Sequence, residues 1–306
     1  MNKAFTLIEL LFVIVILGIV AGLALEAIRQ YYNGIYRTNE YAKRVAQADQ
    51  VLEQISKYFE NAVSASMIRL DQDGNGTALG STCEGILTTG NDAHDYTIAF
   101  VGVDNDGIRG FWDGTRWRPG WSSHVISSGS LISSPESNYT ALNNISALNT
   151  AAIFRNEGLG EGSDECHRFG WTSPITAENH VYRAINSVDS DTNLTLNAVL
   201  SDSGESDRAY LLRSAYAFRA IDGNFSMYSD FQPWSGEQYT AATAHLLADK
   251  VSHFTILYDI SNTSVNSAIG NVFTLKICMK GLDENLSDTD DSAHQICRER
   301  MVHVRY

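Results

Sequence analysis

The longest apolar run of the chain lies close to its start. Residues 5–25 form a run of 21 residues whose only ionisable side chain is Glu9. About 20 apolar residues are enough for a helix to cross the hydrocarbon core of a membrane, so we predict a transmembrane helix here. Lys3 is the only charged residue before the run, and positive charge next to a span favours the cytoplasmic side. We therefore expect a cytoplasmic N-terminus and a body across the membrane.

After this run, the apolar positions recur with a helical spacing. Residues 26–70 contain no proline, and their apolar side chains are mostly three, four or seven positions apart. Such spacing is typical of an amphipathic helix. We predict that the helix continues to about Leu70, with Asn33-Gly34 as a point where it bends. The apolar positions are Ile28, Tyr32, Ile35, Val45, Leu52, Ile55, Phe59, Ala62 and Val63.

From residue 71 onward, short apolar runs alternate with turn residues, a pattern typical of β-strands. Residues 105–107 and 222–224 are predicted turns, and we expect 108–112 to return as a strand against 96–103. Residues 122–150 are rich in Ser, Asn and Gly and are predicted to be a loop. The predicted strands are 96–103, 108–112, 210–221, 225–228, 251–258, 272–279 and 301–306.

Charge changes along the chain as sharply as the apolar pattern does. Residues 1–70 carry 7 basic and 6 acidic side chains, whereas residues 71–306 carry 15 basic and 30 acidic ones. Nucleic-acid backbones are bound through Lys and Arg, and an acidic body lacks those cations. We therefore expect no nucleic-acid partner. A cationic partner, a metal or a neutral protein surface fits the body better.

The residues around the start of the apolar run resemble a known processing signal. Residues 3–11, KAFTLIELL, are similar to the class III signal of type IV prepilins and type II secretion pseudopilins. The resemblance implies that a prepilin peptidase removes residues 1–4 by cutting between Ala4 and Phe5. It also implies methylation of the new N-terminus at Phe5 and a need for Glu9 in assembly. The family usually has Gly where this chain has Ala4. Because Ala is also small we still expect cleavage, at a slower rate than with Gly.

Charge pairing agrees with the role that the resemblance implies for Glu9. Cleavage leaves a free amine at Phe5, and a lone charge in an apolar medium is costly. The amine of one subunit next to Glu9 of its neighbour neutralises both charges and sets the axial register of the subunits. Gly18 and Gly22 form a G-x-x-x-G pair, which is either a close-packing site between helices or two ordinary glycines of a membrane helix.

A second resemblance covers about 90 residues of the C-terminal part. Residues 216–218, 222–225 and 246–258 are similar to the hairpin and the following strand of W-type minor pilins and pseudopilin J. Ser226 and Met227 stand where that subclass usually has an Arg, which weakens the assignment to the subclass. The body also has an apparent insertion at about 83–195.

Together the resemblances imply an α+β fold in which a long N-terminal helix packs on an antiparallel β-sheet body. Residues 1–4 are then a leader, 5–25 the membrane span, 26–70 the amphipathic continuation and 71–306 the periplasmic or extracellular body. The implied function is a minor pilin or pseudopilin of a type IV pilus or a type II secretion pseudopilus. Its implied partners are other pilins or pseudopilins, the prepilin peptidase and an inner-membrane assembly platform.

Two other classes of function stay open at this point. A pilus-tip adhesin would carry its binding surface in the insertion, and a membrane-tethered enzyme or sensor would use a pilin-like anchor. We expect no enzyme, because the sequence has no H-E-x-x-H, G-x-S-x-G or phosphate-binding loop. The tryptophans and arginines between Trp112 and Trp121 pack in the body or form a recognition patch.

The four cysteines indicate disulfides. They stand at Cys83, Cys166, Cys278 and Cys297, without a C-x-x-C pair that would favour zinc. An even number of cysteines on the outer side of a membrane favours disulfide formation. Three connectivities exist, and we choose the sequential one, in which Cys83 pairs with Cys166 and Cys278 with Cys297.

A candidate calcium site follows the amphipathic segment. Asp71, Asp73 and Asn75 belong to a D-x-D-x-N-G sequence, which matches the first half of an EF-hand loop. The twelfth position is Thr82 instead of Glu, and Glu84 is a candidate substitute. The alternative is an acidic, glycine-rich turn. No other cofactor is expected.

Overall fold

The computed structural model describes residues 7–70, 97–112, 114–142, 152–154, 169–171, 182–197, 208–258, 271–280 and 295–304. Within these ranges the fold is α+β, with one long N-terminal helix followed by antiparallel strands, as the sequence predicted. Helix α1 is Leu7–Glu60 and the short helix α2 is Asn105–Ile108. The strands are β1 Ile68–Leu70, β2 Thr97–Val103, β3 Phe111–Trp112, β4 Trp117–Arg118, β5 Ile126–Ser128, β6 Leu131–Ser133, β7 Ala152–Phe154, β8 Tyr182–Val188, β9 Asn193–Leu196, β10 Tyr210–Ile221, β11 Asn224–Phe231, β12 Thr243–Ala248, β13 Val251–Tyr258, β14 Asn271–Met279 and β15 Ile296–Val304.

The described strands form a large sheet, a three-stranded sheet and a small hairpin. The large sheet has ten strands, and β10 is its centre, with β2 on one side and both β7 and β11 on the other. Strands β13, β14 and β15 form the three-stranded sheet, and β3 pairs with β4 in the hairpin. All of these pairings are antiparallel.

Helix α1 packs through its second half against β12, β14 and β15. The buried positions Ala48, Val51, Leu52, Ile55 and Phe59 are at most 3% exposed and follow the predicted helical spacing. They form one core with the inner faces of both larger sheets. The opposite face of the large sheet has a core of its own, so every residue of β2 is buried.

The helix ends at Glu60, ten residues before the predicted end at Leu70. The chain instead runs beside β2: the Val63 amide donates to the Val101 carbonyl, and Ala62 bridges to Gly102. β1 then pairs with β2. The periodicity of apolar residues continues beyond Glu60, but hydrogen bonding to the sheet edge replaces the helical bonds. At Asn33-Gly34 the helix is unbroken.

Most C-terminal strands are confirmed, and two other predictions are wrong. The β10–β11 hairpin turns at Asp222 and Gly223, which both have positive φ, 51° and 80°, as a tight two-residue turn requires. The predicted return strand 108–112 does not pair with β2, because residues 105–108 form α2, in which the Asp104 carboxylate accepts from the Gly107 amide at 3.1 Å. Within the predicted loop 122–150, β5 and β6 form a hairpin.

One predicted disulfide is confirmed. Cys278 of β14 and Cys297 of β15 are direct partners in register and are joined by a disulfide, with their Cα atoms 4.1 Å apart. Cys83 and Cys166 lie outside the described residues, so their pairing stays a prediction.

Removing this disulfide should destabilise the body. Changing both Cys278 and Cys297 to serine frees a loop closed across 19 positions, which lowers the free energy of unfolding by about 3 kcal/mol in the chain-entropy model. Urea denaturation of parent and variant without reductant measures the difference. Met301→Ser is the control, because Met301 lies on the same strand and is 75% exposed. Equal denaturation midpoints for the parent and the cysteine variant would contradict the prediction.

Candidate functional site: the N-terminal helix

The first half of α1 is exposed along its whole length. Every side chain from Leu7 to Asn39 is exposed, although most of those before Glu26 are large and apolar. By its length and composition this helix could cross a membrane. Burying such a surface in hydrocarbon or against other helices is strongly favourable, because each large apolar side chain gains about 1.5–3 kcal/mol on burial. The span therefore requires an environment outside the single chain.

Glu9 lies in the first turn described for α1 and is exposed. It is the only ionisable residue between Leu7 and Leu25. A carboxylate within a membrane-spanning segment is costly and by default functional. Ala4 and Phe5, the predicted cleavage and methylation residues, lie outside the described residues. A helix places Phe5 about 6 Å from Glu9 along its axis, at 1.5 Å per residue.

Gly18 and Gly22 present open backbone on the apolar half of α1. A Cβ atom built on either glycine meets no other atom within 4 Å. The two glycines are four positions apart and therefore lie on the same face of the helix. The structure places them where another helix could approach closely, which is the arrangement that the close-packing interpretation requires.

Among the described residues, the buried side chains of α1 begin at Arg44. The Arg44 guanidinium, which is buried, donates to the Lys280 carbonyl. The Gln47 side chain donates to the Asp249 carboxylate at 2.9 Å, and this hydrogen bond lowers the pKa of Asp249. Residues 26–43, here called the neck, separate the apolar half from this contact by about 27 Å of helix.

Aromatic rings join the helix to both sheets. The Phe218 ring of β10 lies 5.4 Å from Phe59 of α1 and 5.9 Å from Phe100 of β2, measured between ring centroids. It also lies 6.2 Å from Phe225 of β11 and 6.4 Å from Phe254 of β13. These separations are typical of interacting aromatic pairs. The sequence did not predict this cluster, because only Phe218 and Phe225 are close in the chain, and the other members come from three distant segments.

A cleft of about 540 Å³ lies between the second half of α1 and the paired strands β2 and β10, near residues 102–103 and 213–216. Its floor includes Tyr58 and Tyr216, whose ring centroids are 5.0 Å apart. The Asn61 side-chain oxygen in its wall is buried and accepts no hydrogen bond from the described residues. The lining residues are Gln50, Glu53, Gln54, Lys57, Tyr58, Asn61, Gly102, Val103, Asp104, Asn105, Arg109, Arg213, Ser214 and Tyr216.

The tryptophans between residues 112 and 121 have two different environments. Trp121 is 4% exposed, and its indole N–H donates to the Asp104 carbonyl at 2.8 Å. Trp112 and Trp117 face each other across the β3–β4 hairpin, edge to face at 6.5 Å, and are 57% and 67% exposed. Core packing is thus confirmed for Trp121 alone. The Trp112–Trp117 contact supports a hairpin too short to be stable by its backbone hydrogen bonds.

The candidate calcium ligands Asp71, Asp73 and Asn75 lie outside the described residues, as do Thr82 and Glu84. Calcium binding therefore stays a prediction.

A long helix with an exposed apolar half and a second half packed on antiparallel sheets is consistent with a membrane-anchored, pilin-like protein. Residues 1–25 match the family model described as the prokaryotic N-terminal methylation motif. This finding confirms the resemblance to type IV pilin-like precursors that residues 3–11 indicated. No curated protein and no solved structure matches the chain significantly.

Proposed function

We propose that this protein is a minor pilin or pseudopilin, a structural subunit of a type IV pilus or a type II secretion pseudopilus. The observation that carries the proposal is the methylation motif at residues 1–25 on a helix whose first half is exposed throughout. In the inner membrane, lipid covers this half. In a filament, the corresponding helices of other subunits cover it.

The subunit begins as a single-pass membrane protein with its N-terminus in the cytoplasm. Prepilin peptidase removes residues 1–4, and Phe5 becomes the methylated N-terminus. Glu9 then pairs with the Phe5 amine of a neighbouring subunit, since both charges are costly in a medium of low dielectric. The inner-membrane assembly platform extracts the subunit into the filament, and its role there is structural rather than catalytic.

The neck supports this role. Its side chains are exposed up to residue 39, and the first buried side chain of α1 is Arg44. The 27 Å of helix that this leaves, at about 1.5 Å per residue, keeps the acidic body clear of the membrane surface while the span is still inserted. It also leaves the side chains of residues 26–39 exposed and accessible to neighbouring helices.

The size of the body favours a minor subunit. The body of 236 residues, from 71 to 306, is large for a subunit that must be copied many times along a filament. The β10–β11 hairpin and β12–β13, which carry the resemblance to W-type minor pilins and pseudopilin J, are both present in the structure.

Processing provides the direct test. When the chain is coexpressed with a prepilin peptidase, mass spectrometry should find an N-terminal peptide that starts at Phe5 and carries one added methyl group. Ala4→Gly should be cleaved faster than the parent, because Gly leaves more room for the peptidase, and Ala4→Leu should remain uncleaved. A chain that keeps residues 1–4 in the presence of an active peptidase would contradict the proposed function.

A further inference from the structure

We propose that His253, Cys278 and Cys297 form a zinc site when the disulfide between the two cysteines is reduced. The site would hold the metal through two thiolates and one imidazole. It lies on the three-stranded sheet of the body and does not depend on the role of the N-terminal helix.

Three neighbouring strands bring these side chains into one row. Cys278 lies in the central strand, opposite His253 of β13 on one side and opposite Cys297 of β15 on the other. Directly paired residues of antiparallel strands point to the same face of a sheet. One potential ligand atom from each residue lies within 4.8 Å of the other two, so the three ligands already converge.

The spacing fits zinc after small side-chain movements. Tetrahedral zinc holds sulfur at about 2.3 Å and nitrogen at about 2.0 Å, so its ligand atoms are roughly 3.5–3.8 Å apart. Reduction lets the two sulfurs move apart to that separation by rotation of their side chains. The nine paired positions between β14 and β15 keep the two strands in register meanwhile.

The ligand types and their surroundings favour zinc over harder cations. Thiolates and imidazole select zinc, whereas calcium and magnesium prefer oxygen ligands. Cys278 is fully buried and Cys297 is exposed, so a metal ion enters from the Cys297 side and a water molecule completes the four ligands.

Ser252 orients the imidazole. Its hydroxyl donates to the Cys278 carbonyl at 2.9 Å, and its oxygen lies 3.4 Å from Nδ1 of His253. With its proton directed to the carbonyl, the Ser252 oxygen can accept from a protonated Nδ1, and in that tautomer Nε2 carries the lone pair that would bind the metal. Such an outer partner is typical of histidines that bind metals.

The redox step balances with a dithiol as the reductant. The dithiol transfers two electrons and two protons, the bond between Cys278 and Cys297 breaks to give two thiols, and the dithiol becomes a disulfide. Zinc binding then releases both thiol protons to water, because the thiolate is the ligand. In the reverse step the thiolates pass two electrons to another disulfide, which takes up two protons and becomes a dithiol; the bond between Cys278 and Cys297 re-forms and the metal is released. The two states of the pair therefore exclude each other.

Cobalt titration of the full chain in detergent tests the site. A double serine variant, Cys83→Ser with Cys166→Ser, leaves only Cys278 and Cys297. A phosphine reduces their disulfide and is itself converted to its oxide with water. The phosphine is removed before the titration, which is done without oxygen. We expect a thiolate-to-cobalt charge-transfer band in the near ultraviolet that saturates at one metal per chain and disappears when zinc is added. The oxidised protein should show no charge-transfer band. In the reduced Cys297→Ser variant, most of the intensity of the band should be lost.

His253 is the decisive position. Since loss of an outer-shell partner alone costs about 10–100-fold in metal affinity, His253→Ala should weaken cobalt binding at least about tenfold. His303→Ala, on β15 of the same sheet, is the matched control and should bind like the parent. If the chain with serine at positions 83 and 166 fails to fold, His253→Ala and His303→Ala are compared instead in the reduced chain that keeps all four cysteines. Absence of the band, or equal affinities for His253→Ala and the parent, would overturn the site.

Discussion

Replacing Phe218 with alanine is expected to lower the free energy of unfolding of the body by about 3–5 kcal/mol, the range found for truncation of a buried phenylalanine. Phe218 is fully buried, and its ring contacts helix α1 and three strands. The cavity left by the ring cannot collapse easily, because the surrounding rings belong to different elements that are each held by their own hydrogen bonds.

The Phe218 variant should also loosen α1 from the body. Phe59 is the last large apolar residue of the helix, and it packs on Phe218 and Phe100. Urea denaturation of the chain in detergent, followed by tryptophan fluorescence, measures the loss of stability. Limited proteolysis near the C-terminal end of α1 reports the loosening.

Leu246→Ala is the control for Phe218→Ala. Leu246 is also a large apolar residue of the large sheet, on β12, but it is 64% exposed. Exposed substitutions usually change stability by less than about 0.5 kcal/mol. Equal stabilities of the Phe218 and Leu246 variants would show that the aromatic cluster does not join the helix to the sheets as its ring contacts indicate.

Replacing Glu9 with valine is expected to stop filament assembly while leaving processing intact. In the proposed function the peptidase reads Lys3, Ala4 and the start of the apolar run at the cytoplasmic face. In a continuous helix, four residues at about 1.5 Å each would separate Phe5 from the deeper Glu9 by about 6 Å. Its task begins after cleavage, when the new amine needs a partner in a medium where a lone charge is costly. Valine removes that partner and eases insertion into the membrane.

The two steps are measured separately. Immunoblots follow removal of residues 1–4, and sheared-filament fractions follow assembly. The processed Glu9→Val subunit should accumulate in the membrane, and its amount in filaments should fall at least about tenfold, which corresponds to about 1.4 kcal/mol of lost pairing. Glu26→Val, which removes a carboxylate from the same helix just outside the span, should assemble normally. Wild-type incorporation of the Glu9 variant would exclude charge pairing as its role.

The long helix could be predicted because its signals are local. An unbroken apolar run and the three-to-four spacing after it require no knowledge of the rest of the chain. Its end could not be predicted in the same way. Ala62 and Val63 continue the helical spacing, but they bond to Gly102 and Val101 of β2, a strand that begins at Thr97, 37 residues after Glu60.

The strands show the same division. The β10–β11 hairpin was predicted because its turn and its apolar runs are adjacent in sequence. The strand pairing of residues 108–112 was predicted wrongly, since the Asp104 cap turns the chain into α2 and the neighbours of β2 are β1 and β10. β10 lies more than 100 residues after β2 in the chain, so the local pattern of apolar residues around β2 gives no signal of this pairing.

The sequence by itself predicted an apolar helix long enough to span a membrane, the methylation motif with Glu9, the helical period of α1 and the pairing of Cys278 with Cys297, because each depends on residues close together in the chain. Only the tertiary structure decided where α1 ends, which rings surround Phe218 and that His253 lies beside the disulfide. Those arrangements depend on the order and register of the strands. The same pattern of apolar residues would fit several different strand orders equally well, so it does not specify which strands become neighbours.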